Sequence, residues 1–103
     1  MSKLTLTAFN GTDTPHILQL TIAGDLIDHS VITRVQLSIK GTIVGDSDDF
    51  PAAWDLTNTD KLIVKLGLCD LSTGQRSSAR LITYDAAHPN GFGWDTNIDL
   101  RVL

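Results

Sequence analysis

Apolar and polar side chains take turns along most of this chain, and the period is two. In "KLTLT" Leu4 and Leu6 alternate with threonines; in "ILQLTI" Leu18, Leu20 and Ile22 alternate with polar neighbours. "TRVQLSIKG" sets Val35, Leu37 and Ile39 on one face and Arg34, Gln36 and Ser38 on the other. The rhythm returns in "KLIVKLG" (Leu62, Val64, Leu66), in "SARLITY" (Ala79, Leu81, Thr83) and in "NIDLRVL" (Ile98, Leu100, Val102). Successive side chains of a strand point to opposite faces, so each run predicts a strand with one face turned inward.

Turn-forming residues separate the runs: Asn10-Gly11, Ala23-Gly24-Asp25, Lys40-Gly41, Gly45-Asp46, Thr57-Asn58, Ser72-Thr73-Gly74 and Pro89-Asn90-Gly91. Short strands at this spacing predict an antiparallel sandwich or barrel, with the inward sets forming a shared core. Residues 24–32 have room for a short helical turn, and 43–57 for irregular strands. The 103 residues fit a single domain, 1–103, with no internal repeat or linker.

Composition agrees with this pattern. All 12 acidic residues are aspartate. Glutamate favours helix interiors, whereas aspartate competes for nearby backbone and prefers turns and caps. Threonine, isoleucine and valine add β-branched weight. The net charge of −4, with Lys and Arg scattered singly, excludes a basic stripe for nucleic acid. No stretch approaches the ~20 apolar residues of a membrane-spanning helix. "MSKLTLT" lacks the apolar core of a secretory signal, and one cysteine, Cys69, cannot form an internal disulfide. Assembly in a reducing compartment is the expectation, with Cys69 as a small buried apolar residue.

The candidate chemistry is sparse. His16, His29 and His88 show no zinc spacing. "DSDD", Asp46 to Asp49, raises a surface calcium site at Asp46, Asp48 and Asp49. It lacks the glycine and glutamate of an EF-hand loop, and a solvated acidic turn is the simpler expectation. Ser72, Ser77 and Ser78 sit in no nucleophile elbow. Cys69 with His88 is the only thiol–imidazole pair that loops might bring together, and paired carboxylates for sugar chemistry can be drawn among Asp85, Asp95 and Asp99. The expectation is a chain with no catalytic residues, cofactor or metal. "DAAHPNG", residues 85–91, reads as a wide hairpin loop: proline fixes φ, and Asn90-Gly91 supplies positive φ. His88, Phe92 and Trp94 in and beyond that loop, with Trp54 in "DDFPAAWDL", are the candidate partner or ligand contacts.

Two strings carry a family resemblance. "RVQLSIKGTIVGDSDDFPAAWDL" and "KLIVKLGLCDLSTGQRSSARLITYDAAHPNGFGW" resemble small immunoglobulin-like sandwich domains of tailed-bacteriophage virion proteins. The likeness spans roughly Val31 to Val102. "IKG" ends a strand before a loop rich in Asp and Ser, "KLIVKLG" follows, and "LSTG" makes the corner between sheets. A strand ending in Tyr84-Asp85 and the "HPNG" hairpin close the fold. After Gly74 stand Gln75 and Arg76, where such corners usually carry a tyrosine.

The resemblance implies an immunoglobulin-like β-sandwich of about seven strands. Its implied role is a structural subunit of the neck, tail or baseplate that binds other virion proteins and forms a homo-oligomer. It also implies assembly in the bacterial host cytoplasm before incorporation into the virion. The alternative is a carbohydrate- or ligand-binding β-sandwich module. There Trp54, Phe92 and Trp94 would stack on sugar rings, and Asp55 and Asp95 would accept hydrogen bonds. A minor enzyme using Cys69 and His88 is the third reading.

Overall fold

The computed structural model of the chain describes residues 3–69, 71, 73–94 and 97–103. In chain order the strands are β1 (Lys3–Ala8), β2 (His16–Leu18), β3 (Thr21–Ile22), β4 (Asp25–Leu26), β5 (Arg34–Ile39) and β6 (Thr42–Asp46). They continue with β7 (Trp54–Asp55), β8 (Leu62–Val64), β9 (Gly74–Tyr84), β10 (Phe92–Gly93) and β11 (Asn97–Val102). Single 3-10 turns occupy His29–Val31 and Leu66–Leu68, and the described residues contain no α-helix. The protein is all-β.

The larger sheet runs β1-β11-β9-β5-β6, with β10 also on β9; the smaller runs β2-β8-β7; β3 and β4 form a hairpin of their own. The many short segments replace the expected count of about seven strands. Most neighbours are antiparallel, as expected, but β1 and β11 run parallel, from Lys3 opposite Asn97 to Ala8 opposite Val102. Period-two alternation fixes which face of a strand is buried and is silent about the direction of its neighbour, so this pairing was not readable from the pattern.

The alternation predicts the core well. Val35, Leu37, Ala79, Leu81, Ile98, Leu100 and Val102 from the larger sheet are buried in one cluster with Leu18, Trp54, Leu62 and Val64 from the smaller. Thr83 is buried among them. β9 is long enough to serve three partners: its second half pairs β5 on one side and β10 on the other, and its first half pairs β11.

Two irregularities shape the sheet edges. Between Leu37 and Ser38 the register with β6 shifts, so that Val44 is an extra residue on the edge strand. At the other end of the chain's path, Gly67 lies under the Phe9–Thr12 turn, its carbonyl accepting from the Gly11 amide at 2.8 Å. A Cβ at Gly67 would strike the Phe9 carbonyl oxygen and lie 2.7 Å from that of Thr12. Backbone on backbone leaves no room for a side chain there.

Candidate functional site

Three of the four predicted contact residues meet. The loop after β9 turns through hydrogen bonds of the Asp85 carbonyl and carboxylate to the His88 amide, at 3.1 and 2.8 Å. The His88 imidazole Nδ1 also lies 3.0 Å from Asp85 Oδ1. The segment is a hairpin bend, as its turn residues predicted, joining β9 to β10. Phe92 lies opposite Thr83 and carries the row onward: its ring is 4.8 Å from Trp94, and the exposed His88 ring meets it edge-on at 5.0 Å. Trp94 is half-buried, and its indole N–H donates to Thr83 Oγ1 at 3.0 Å. Trp94 thus packs against the core, Phe92 is half-buried between the two other rings, and His88 is exposed.

Trp54 is elsewhere. It lies on β7 at 7% exposure, inside the shared core. Its indole N–H and the His16 Nε2 are buried without a hydrogen-bond partner among the described residues. Burial holds the His16 imidazole below its ordinary value of 6.5. An exposed Trp54 stacking on a sugar ring is therefore corrected: what reaches the surface beside it is a shallow depression among Pro15, Asp55, Ile63 and Lys65.

The "DSDD" stretch also departs from expectation. Asp46 is 5% exposed, not solvated. Arg34 holds it through two nitrogens, Nε at 3.0 Å from Oδ1 and Nη2 on Oδ2. The Gln36 amide donates to Oδ2 at 2.9 Å and the Asp48 amide to Oδ1 at 3.0 Å. The Tyr84 hydroxyl in turn donates to Gln36 at 2.7 Å, and Arg34 stacks over the Tyr84 ring. Hydrogen bonding from Arg34 holds the Asp46 carboxyl far below the usual carboxylate range, although burial alone would raise it. Arg34 also reaches Asp48 Oδ2 at 3.2 Å, so Asp46 and Asp48 form an ion-paired corner joining β5, β6 and β9, while Asp48 and Asp49 remain exposed as expected.

The catalytic candidates separate. Cys69 is buried in the core, and burial pushes its thiol up to about 11, the opposite of what a nucleophile requires. His88 faces Asp85 and Phe92. Among the described residues no group of three metal-ligating side chains converges. Ser72 and Asp95 lie outside the described residues, as do the side chains of Ser77 and Ser78.

Sequence reasoning missed one exposed apolar feature. It placed Ile22 inward with Leu18 and Leu20, in one strand. The chain instead leaves the sheet after Leu18; the Leu20 amide donates to His29 Nε2 at 2.9 Å and its carbonyl accepts from the Ile27 amide at 3.1 Å. The chain then reverses through Ala23 and Gly24, both at positive φ, in a two-residue hairpin turn. Ile22 lies opposite Asp25, and Thr21 opposite Leu26, so Ile22 and Leu26 point to opposite faces. They are 50% and 46% exposed, and Ile17 and Val31 are more so. The signal was present in Ala23-Gly24: a two-residue turn makes its flanks pair with each other.

His29 anchors this hairpin. The residue is fully buried, its amide donates to the Thr59 carbonyl at 2.8 Å, and its Nδ1 lies 3.1 Å from the same oxygen. Because Nε2 accepts from the Leu20 amide, the proton belongs on Nδ1, where Thr59 receives it.

No protein-family model matches the chain, and no curated protein matches it. Among solved structures it is similar to the fibronectin(III)-like modules of Clostridium thermocellum CbhA, at 14% identity over 99% of this chain and 90% of that one, with a TM-score of 0.39. A likeness that faint adds nothing to the sheet topology described above.

Proposed function

We propose that the chain is an immunoglobulin-like β-sandwich that serves as a structural subunit of a tailed-phage virion, working through contacts with other proteins. The observation that carries the reading is the Thr21–Leu26 hairpin. It leaves aliphatic side chains on both of its faces in water, with Ile17 and Val31 close by in sequence. A hairpin exposed on both faces gains little stability from those side chains, which leaves them free for contact with another protein. The two core-forming sheets support the sandwich, and the "IKG", "KLIVKLG", "LSTG" and "HPNG" strings support the virion assignment. The ligand-module alternative draws less support, because Trp54 is in the core and the Trp94 indole N–H is already engaged by Thr83.

Mass spectrometry of gradient-purified particles from the host that encodes the chain tests this. The expected result is the chain present in a fixed ratio to the other particle proteins. Its absence from particles, with the chain abundant in the same lysate, overturns the reading.

A further inference from the structure

We propose that the free edge of β1 is a dimerisation edge, where a second copy of this chain adds its own β1 antiparallel with the two-fold axis at Thr5. The proposal rests on the contact-making role above and names one partner for it. In the parallel ladder the Leu103 amide donates to the Ala8 carbonyl at 2.9 Å, and the Leu103 carbonyl accepts from Asn10 at 3.0 Å. The N–H and C=O of one strand residue point the same way, and the direction alternates along the strand. Backbone groups of Leu4, Leu6 and Ala8 therefore turn toward β11, and those of Lys3, Thr5 and Thr7 turn outward. Among the described residues β1 has a strand neighbour on one side only. The edge ends after Thr7, because the Phe9 carbonyl accepts from the Thr12 amide and hydroxyl.

The β6, β2 and β7 edges are blunted in ways that discourage pairing. β6 carries the Val44 bulge; β2 has three residues and follows Pro15; β7 has two and comes shortly after Pro51. β1 has six residues in unbroken register, with no proline, bulge or charge from Leu4 to Ala8.

Register selects a second copy as the occupant. With the axis at Thr5, Thr5 faces the partner's Thr5 and Lys3 faces the partner's Thr7. All of these are outward-turned, so each pair exchanges both backbone hydrogen bonds. Leu4 then faces the partner's Leu6, and directly opposed residues share a sheet face. That puts the partner's Leu6 beside Leu4, at the mouth of an apolar cleft of about 160 Å³ lined by Leu18, Leu20, Leu81, Trp94 and Ile98. An arbitrary peptide strand would satisfy the backbone without bringing leucine to that mouth. The contact is one strand deep and falls short of the roughly 1,200 Å² of a standard interface, so the dimer is reversible.

Sedimentation velocity on the full chain, up to millimolar concentration, should show the mass rising toward that of two chains. Thr5→Pro removes only an outward amide, so it should abolish the rise while leaving circular dichroism and melting unchanged. Thr5→Cys should cross-link under mild oxidation, because the Cα atoms of a hydrogen-bonded antiparallel pair lie about 5.5 Å apart. Thr7→Cys, which faces the partner's Lys3, should not. The native Cys69 is buried and stays out of the reaction. A wild-type chain that remains monomeric at millimolar concentration, a dimer that survives Thr5→Pro, or Thr7→Cys cross-linking ahead of Thr5→Cys overturns the proposal. Particle content tests the structural role separately, so the two readings fail by different results.

Discussion

At the Asp46 corner a carboxylate is almost wholly withdrawn from water, and at the Thr21–Leu26 hairpin two aliphatic side chains are left half in it. Each arrangement is unfavourable on its own. The corner compensates by partners: Arg34, Gln36 and the Asp48 amide satisfy Asp46, and Tyr84 satisfies Gln36. The hairpin has no such compensation at Ile22 and Leu26; it is held from below, by His29. The lesson is that stability and contact surface are carried by different side chains here. Substitutions should therefore separate them.

The most disruptive change expected is His29→Ala. It opens a cavity and leaves the Leu20 amide without its acceptor, and should cost about 3–4 kcal/mol. Urea unfolding measures the loss, and hydrogen exchange at the Leu20 amide should accelerate with it. Unchanged stability would mean that the hairpin is not anchored through the imidazole.

Asp46→Ala comes next. It strips partners from Gln36 and the Asp48 amide, but Arg34 keeps its access to water, which limits the loss to about 2–3 kcal/mol. If the variant melts with the wild type, the corner is ornamental to the fold.

Acid should act on His16 and Asp46 in sequence. Because burial lowers the His16 imidazole, the unfolded chain takes up that proton first. Its contribution is intact above pH 6.5 and is lost as the pH falls below that value. Asp46 is held below the ordinary carboxylate value of 3.8, chiefly by Arg34, so its contribution persists to lower pH. It is lost only as the pH drops from 3.8 toward the folded value. Thermal melts across this range should show both losses, and His16→Gln should remove the upper one alone.

The smallest effect on folding is expected from Ile22→Ser and Leu26→Ser, each within about 0.5 kcal/mol because neither side chain is in the core. The same changes should reduce incorporation into particles. A large stability loss from either would erase the contrast between hairpin and corner.

Much of the fold was legible because burial in a pleated strand has a period the sequence must obey. Val35 and Leu37, Leu62 and Val64, and Ile98, Leu100 and Val102 follow it and are all buried. The "DAAHPNG" bend was legible too, since Pro89 and Asn90-Gly91 act locally. What escaped were facts that depend on residues distant in the chain. Ile22 keeps the alternation but leaves the sheet, because Leu20 bonds to His29, nine residues on. Asp46 has the composition of a surface turn and is buried by Arg34, twelve residues back. Trp54 could be placed on a strand, but its exposure depended on how the smaller sheet closes. Of the candidate contacts, the neighbourhood of Phe92 and Trp94 was readable from their spacing of two. The aliphatic hairpin was hidden by the very pattern that revealed the core.

The parallel pairing of β1 with β11 has a mechanical consequence. Because the two strands run the same way, a tether entering at Lys3 and one leaving at Val102 pull from opposite ends of the ladder. Tension between them loads every rung at once, as shear, where an antiparallel hairpin would peel open rung by rung. In single-molecule stretching the domain should therefore yield at high force in one abrupt step, and Leu6→Pro, which deletes a rung, should lower that force.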